Sequence, residues 1–239
     1  MIPIGDDNRA RRRTPVVVIA LILLNAAVFI YELTLQAQGG DALGRFIYSY
    51  GAIPVELRHL EDYPPTIPYP IWVTAFTSMF MHGGWLHLIG NMLFLWVFGD
   101  NVEDDMGHAR FAVFYLLCGL GAVTLQTLID TTSTQPMVGA SGAISGVMAA
   151  YLVLFPGGRI RVLVWLGIFV TVIAMPAVGG IGYWIVLQFI SGLASVGPDT
   201  AQTGGVAYFA HIGGVVTGLL AVLLFRGRGP RSRLTRSRW

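Results

Sequence analysis

The stretch VGASGAISGVMAAY, residues 138–151, consists mostly of glycine, alanine and serine and continues into an apolar run. Small residues of this kind are typical of places where two membrane helices pack closely. Ser141 lies between Gly139 and Gly142, at the start of the apolar run rather than inside it. A serine in that position can serve helix packing or act as a nucleophile, and the rest of the chain has to decide between the two interpretations.

The composition of the chain is that of a membrane protein. It has 239 residues, of which 54% are hydrophobic and 12% are charged, and a mean hydropathy of +0.65. Soluble domains carry about twice that share of charged residues. Apolar runs long enough to cross a bilayer recur along the chain, which predicts several membrane spans. The single cysteine, Cys118, excludes an internal disulfide.

The basic residues are all arginines, and most of them lie in two tails, residues 1–15 and 226–239. Basic tails can bind nucleic acid, but beside membrane spans they more often fix orientation. We therefore expect no nucleic-acid partner, and we place both tails in the cytoplasm with the rest of the protein in the lipid bilayer of a cell membrane. The exclusive use of arginine is typical of GC-rich bacterial genomes and favours a bacterial inner membrane.

The apolar runs predict one membrane domain over residues 16–225. Residues 161–193 are apolar throughout but are interrupted by Pro176 and nearby glycines, so we treat 161–174 as an apolar approach to a helix that starts near Pro176. Two spans in that region would give seven in total and would put the arginine-rich tails on opposite sides of the membrane. The predicted fold class is therefore all-α, a polytopic membrane helical bundle. Its six spans cover residues 16–36, 78–98, 109–129, 141–155, 175–193 and 206–225.

Polar residues on three of these spans fall at similar depths. Counted from the cytoplasmic ends of their spans, Ser141 and His211 both lie about 22 Å into a core that is about 30 Å thick. On the second span, His87 lies at about 20 Å and Asn91 at about 14 Å by the same count. Ionisable residues at such depth are costly and usually face a cavity that carries function. The spacing thus predicts that a serine, two histidines and an amide converge in the outer half of the membrane.

Glycines accompany the two reactive side chains. His211, Gly214 and Gly218 share one face of the sixth span, while Gly142 and Gly146 follow Ser141 on the fourth. Each pair of glycines has the GxxxG spacing that lets helix backbones approach closely. We expect these glycines to bring the serine and histidine helices into hydrogen-bonding reach.

Three segments carry a resemblance to a known family. The sequences GASG at 139–142, HGGWLHLIGN at 82–91 and AHIGGVVTG at 210–218 resemble the signature segments of rhomboid intramembrane serine proteases. The resemblance extends from the first span to Phe225 and includes the order of the spans and the tract FGDNVED at 98–104. It implies a rhomboid-like fold.

The resemblance also implies a serine protease with a Ser–His dyad that cleaves transmembrane segments of other membrane proteins. Ser141 would attack the peptide carbonyl, and His211 would take its proton and return it to the leaving amine. His87, Asn91 and the backbone N–H of Ser141 would donate to the developing oxyanion. Gly139 would permit the unusual backbone that exposes Ser141. No metal or cofactor is implied, and the oligomeric state is left open.

A dyad without an acidic third member agrees with the placement of carboxylates. Asp100, Asp130 and Asp199 all fall at span ends, so we expect no carboxylate inside a span near the dyad. Two residues depart from the family pattern. Val73 follows Trp72 where many members carry arginine, and Ser145 stands where an aromatic ring often stacks on the base. The second departure predicts that the base is held less firmly.

Other polar residues have structural interpretations. We expect Ser145 to bond its own helix four residues back, as membrane serines usually do. His82 is expected to support the site from behind, whereas His59 and His108 are expected in solvated loops. The acidic run DNVEDD at 100–105 can bind a cation, but a solvated loop is the favoured interpretation.

Two other functions compete with a protease. A non-catalytic rhomboid-like protein that binds membrane clients would need neither Ser141 nor His211, and the presence of both disfavours it. A metal-dependent enzyme or transporter would use His82, His87 and His211. The chain has no HExxH motif and no nearby carboxylate that would complete a zinc site, so this class ranks lowest.

Overall fold

A computed structural model describes residues 2–6, 11–195 and 207–227 of the chain. Asp199 lies outside the described residues, as do residue 206 at the start of the predicted sixth span and nearly all of the tail 226–239. In chain order the elements are β1 (Ile2–Asp6), α1 (Val16–Gln38), α2 (Ala42–Tyr50), α3 (Pro54–His59), α4 (Thr74–Thr77), α5 (Trp85–Met106), α6 (His108–Ile129), α7 (Ser141–Leu154), β2 (Arg159–Leu166), β3 (Phe169–Pro176), α8 (Ala177–Ser195) and α9 (Tyr208–Phe225). Short 3₁₀ turns flank α4 at Ile71–Val73 and Ser78–Phe80.

The predicted helical membrane bundle is confirmed. Four described helices, α1, α6, α8 and α9, are long and apolar enough to cross a membrane. The other two predicted spans correspond to α5, with 22 residues, and α7, with 14. The last turns of α5 are acidic, and the shorter α7 lies inside the bundle. Every residue of α7 from Gly142 to Tyr151 is buried.

The predicted start of the second span at residue 78 is wrong. Ser78–Phe80 forms a 3₁₀ turn, and α5 begins only at Trp85, after a break at Gly83 and Gly84. Apolar residues on both sides of the glycine pair made the run look continuous. The end of the span was also wrong, because α5 continues to Met106 and buries Asp100 inside its final turns.

Backbone contacts between α7 and α9 explain why glycines recur on these two helices. A Cβ atom added at Gly214 would overlap the carbonyl oxygen of Gly142, and one added at Gly218 would overlap that of Gly146. A Cβ at Gly146 would lie 2.8 Å from the carbonyl oxygen of Gly214. The two helices therefore touch backbone to backbone, which only glycine permits.

A three-stranded antiparallel sheet in the order β1–β2–β3 adds to the helical bundle. Residues 161–174 are not an irregular approach to α8, because they form most of a hairpin that turns at Gly167, where φ is +63°. The segment is rich in β-branched and aromatic residues, which favour strands. β2 begins at Arg159, four residues after Phe155, which follows the end of α7.

The predicted N-terminal tail 1–15 contains β1, which pairs with β2. Asp6 at the end of β1 is buried, and its Oδ2 accepts hydrogen bonds from Asn101 Nδ2 at 2.6 Å and from the hydroxyl of Tyr151 at 2.9 Å. These bonds join the strand to the ends of α5 and α7. The five residues of β1 show no strong periodicity, so the sequence did not indicate that they pair with β2, about 155 positions away.

The acidic run 100–105 is helical and binds the start of α1. The carboxylate of Glu103, fully buried, accepts the backbone N–H groups of Val17 at 2.9 Å and Val18 at 2.8 Å. It also pairs with His108, which opens α6 rather than lying free in a loop. Arg11 forms an ion pair with Asp100 at 2.8 Å. The favoured interpretation of a solvated loop is therefore wrong for this run.

We expect Glu103→Ala to destabilise the fold by about 1–3 kcal/mol, because it removes the acceptor for two N–H groups in the first turn of α1. Thermal unfolding of the purified protein in detergent measures the change. Glu61→Ala, in an exposed loop, is the matched control and should leave the midpoint in place. Equal midpoints for Glu103→Ala and wild type would contradict this assignment.

Candidate active site

The loop before α7 sets the position of Ser141. Gly139 has φ +126°, a backbone conformation that residues with a side chain rarely adopt. Its N–H donates to the carbonyl oxygen of Ser78 at 2.8 Å. Two residues earlier, Met137 exchanges backbone hydrogen bonds with Ala52 at 2.8 and 3.0 Å. The chain then turns into α7 at Ser141, whose N–H belongs to the first helical turn and has no carbonyl partner within the helix.

Ser141 and His211 are in hydrogen-bonding contact. The Oγ atom of Ser141 lies 2.8 Å from Nε2 of His211, on the neighbouring helix α9. The histidine is buried, with 8% of its surface exposed. The contact is made possible by the glycine face of α9, since Gly214 lies one turn beyond His211 and packs directly on α7. A hydroxyl and an imidazole at this distance form the pair that nucleophilic catalysis requires.

A third side chain, Gln188 of α8, fixes the other ring nitrogen of His211. Its Oε1 lies 2.7 Å from Nδ1 of the histidine. An amide oxygen can only accept a hydrogen bond, so Nδ1 carries the proton and Nε2 is free to accept from the serine hydroxyl. The sequence analysis missed this residue. The available signal was a glutamine inside an otherwise apolar span, a placement that is costly unless the amide has a partner.

An aromatic ring does lie beside the base, although it does not come from α7. Trp184, one turn before Gln188, has its ring centroid 5.5 Å from that of His211 at an interplanar angle of 41°. Ser145, at the position where the family pattern often has an aromatic residue, donates to the carbonyl oxygen of Ser141 at 2.6 Å. The expected back-bonding of Ser145 is confirmed, and the contacts beside the base come from α8 instead of α7.

Two donors from α5 approach the loop in front of Ser141. The Nδ1 atom of His87 accepts the N–H of Gly83 at 3.3 Å, so its Nε2 carries the proton and can donate. The Nδ2 atom of Asn91 is buried and has no hydrogen-bond partner among the described residues. A Cβ atom added at Gly139 would lie 2.8 Å from His87 Nε2 and 3.7 Å from Asn91 Nδ2. Both donors thus converge beside Gly139, two residues before Ser141, and line the same cavity as the serine.

A cavity of about 550 Å³ joins the serine, the base and the two donors of α5. Its polar lining includes Ser141, His211, His87 and Asn91, and its apolar lining includes Trp184 and residues of α5, α6 and α7. A buried, unpartnered donor such as Asn91 Nδ2 is costly unless something binds it. The arrangement can place a carbonyl carbon near the serine while its oxygen faces the donors of α5.

A carboxylate lies closer to the site than the sequence analysis expected. Glu32, near the end of α1, is buried and accepts the backbone N–H of His82 with both oxygens at 3.3 Å. The His82 ring lies 5.0 Å from the ring of His87, between centroids. The expectation that no carboxylate lies inside a span was wrong because Glu32 was overlooked. It supports the segment before α5 and forms no hydrogen bond with Ser141 or His211.

Histidines elsewhere do not form a metal site in the part of the chain that the structure describes. No group of three or more His, Cys, Asp or Glu side chains is placed there to hold an ion. His59 ends the short helix α3 and is exposed, and the neighbouring rings of His82 and His87 belong to no such group.

Fold and site together define a multi-pass helical membrane protein with a Ser–His pair in a cavity inside the bundle. A family model described as Rhomboid domain matches residues 70–228, which include every residue of this cavity, and the chain belongs to the rhomboid family.

Curated relatives agree with this assignment. Rhomboid-like protein 11, chloroplastic, of Arabidopsis thaliana is 27% identical over 92% of this chain and 69% of its own length. RHOMBOID-like protein 6, mitochondrial, of the same plant is 33% identical over 62% of the chain and 53% of its length. Rhomboid protein 1, mitochondrial, of Saccharomyces cerevisiae is 30% identical over 62% and 40%. The chain thus spans about half the length of the last two relatives.

Proposed function

We propose that the protein is an intramembrane serine endopeptidase that cleaves transmembrane segments of other membrane proteins near the outer face. The observation that carries the proposal is the 2.8 Å contact between Ser141 Oγ and His211 Nε2 inside a cavity within the bundle. Membership of the rhomboid family supports the same reaction class. The proposed partners are transmembrane protein substrates and the lipid bilayer.

The proposed chemistry is acyl transfer to serine followed by hydrolysis. Ser141 Oγ attacks the peptide carbonyl carbon while His211 Nε2 takes the hydroxyl proton. The resulting oxyanion accepts hydrogen bonds from His87 Nε2, Asn91 Nδ2 and the backbone N–H of Ser141. His211 then gives its proton to the leaving amine, and a water activated by the same nitrogen releases the acyl group from serine.

The proposed orientation places both termini on the same side, as the arginine-rich tails and an even number of spans favour. Ser141 begins α7 and therefore lies toward the opposite, outer side. The chloroplast and mitochondrion in the relatives' names give no support to the bacterial inner membrane expected from arginine usage.

Cleavage by purified protein in liposomes tests the proposal. The reporter is a transmembrane segment with small residues at its outer end and helix-breaking residues beyond them. We expect wild type to cut that outer end, as mapped by product mass, and His211→Ala to leave the reporter intact. His59→Ala, in an exposed position, is the matched control and should retain full activity.

The competing function, a non-catalytic rhomboid-like protein that binds membrane clients, gives a different result in the same assay. Wild type and His211→Ala would then both retain the reporter uncut. An intact reporter with wild-type protein, under conditions where the protein is folded, would overturn the proposed protease.

A further inference from the structure

Helix α8 supplies two side chains that contact the ring of His211. Gln188 Oε1 lies 2.7 Å from Nδ1, and the Trp184 ring lies beside the histidine ring at a tilt of 41°, with centroids 5.5 Å apart. The two residues are four positions apart and therefore share one face of the helix. The opposite flank of α8 is exposed at Val186, Phe189 and Ile190.

We propose that Gln188 is a positioning residue that holds His211 in the tautomer and orientation needed to accept the serine proton. This inference rests on the proposed function and assigns Gln188 the place that an acidic residue occupies in a Ser-His-Asp triad. Gln188 acts through the histidine and does not itself touch the serine.

The chemistry follows from the two nitrogens of imidazole. A neutral ring carries one proton, and only the form with that proton on Nδ1 leaves Nε2 free to act as a base. An acceptor placed at Nδ1 selects this form and stabilises the imidazolium that follows proton transfer. Because Oε1 of Gln188 accepts and cannot donate, it selects the productive form.

An amide suits this position better than a carboxylate does in a membrane. A carboxylate in a buried, lipid-surrounded site carries a large desolvation cost, while an amide presents the same acceptor without a net charge. The other groups that face His211 are Ser141 from α7, Trp184 from α8 and the titratable ring of His87 from α5 across the cavity. Among the described residues, no carboxylate forms a hydrogen bond with His211, so the amide is the acceptor available at Nδ1.

The placement of Gln188 makes the base depend on a peripheral helix. Ser141 and His211 lie on helices joined by glycine contacts, whereas the acceptor for Nδ1 comes from α8 at the edge of the bundle. α8 packs on α9 near Gly192, which faces Tyr208 and Phe209. Full activity should therefore require α8 to remain docked against α9.

Two substitutions at Gln188 test the inference in the liposome assay. We expect Gln188→Leu, which removes the acceptor at similar volume, to lower kcat by about 10-fold to 100-fold with little change in KM, a fraction of a full general-base contribution. Gln188→Glu restores an acceptor and should recover much of kcat. The matched control is Gln36→Leu, the same change at an exposed position near the end of α1.

The pH profile separates positioning from a merely structural role. A carboxylate at position 188 would stabilise the imidazolium and raise the pKa of the base, so His211 would stay protonated to a higher pH. The acidic limb of kcat in Gln188→Glu should therefore move to higher pH, by about 1 unit or more.

The outcomes distinguish this inference from the proposed function. Wild type that does not cleave the reporter would overturn the protease itself. Active wild type with an unchanged Gln188→Leu would overturn only the positioning role. The positioning role would also be overturned by a second result. In that result Gln188→Leu and Gln188→Glu lose activity equally, whether through misfolding or not, and the residual activity shows an unshifted pH profile.

Discussion

Ser141→Ala is expected to abolish labelling by a fluorophosphonate probe and to reduce reporter cleavage by about 10⁴-fold or more. The reason is geometric, because the hydroxyl of Ser141 is the group within 2.8 Å of the base in the cavity. Without the oxygen no acyl-enzyme can form, and the remaining donors act on water alone. Rates of labelling and of reporter cleavage measure the effect.

The matched control is Ser145→Ala, one turn along the same helix. Ser145 is also buried and small, but its hydroxyl donates to the carbonyl oxygen of Ser141 rather than to a base. Its loss should leave most of the labelling in place. Full activity in Ser141→Ala, or equal losses in the two variants, would contradict the assignment of Ser141 as the nucleophile.

Asn91→Ala is expected to lower kcat by about 10²–10³, the usual cost of losing one oxyanion donor. The Nδ2 atom of Asn91 is buried without a partner among the described residues, so its removal breaks no hydrogen bond of that group in the resting protein. The loss should therefore fall on the transition state, with KM nearly unchanged. Single-turnover cleavage in liposomes measures it.

Asn25→Ala separates this effect from the general loss of a buried amide. Asn25 is also buried, but its Nδ2 donates to the carbonyl oxygen of Leu21 within α1. We expect Asn25→Ala to change stability more than rate. A kcat for Asn91→Ala within about threefold of wild type would rule out an oxyanion role of the size expected.

The sequence predicted that Ser141 and His211 meet, because the spacing of residues along a helix gives both the depth of a side chain in the membrane and the helix face on which it lies. Ser141 and His211 lie the same number of residues from the predicted cytoplasmic ends of their predicted spans, and glycines recur on the faces that join α7 to α9. A regular rise of about 1.5 Å per residue turns those counts into a position. Local pattern was therefore sufficient where the elements are straight helices.

The features that the sequence analysis missed depend on pairing between distant segments. The segment β1 forms a strand only through its pairing with β2. The carboxylate of Glu103 was predicted to be solvated because the N–H groups that it accepts begin α1, 86 positions earlier. Gln188 is similar, since its role depends on how α8 is rotated against α9. A lone glutamine indicates that a partner exists but does not identify which one.

The predicted helix boundaries were wrong where the sequence stays apolar across a break in the helix. The run that includes Ser78 continues in hydropathy past Gly83 and Gly84, although the helix starts only after them. The hairpin of β2 and β3 was missed for the same reason, because a fully apolar run does not separate strand from helix by periodicity.

The most direct test of the central claim is the mass of the peptide to which a fluorophosphonate probe attaches. If Ser141 is a nucleophile activated by His211, the adduct on wild-type protein will map to Ser141 and will be lost in His211→Ala. An adduct on Ser145 or another serine, or undiminished labelling of Ser141 in the absence of His211, would contradict the account.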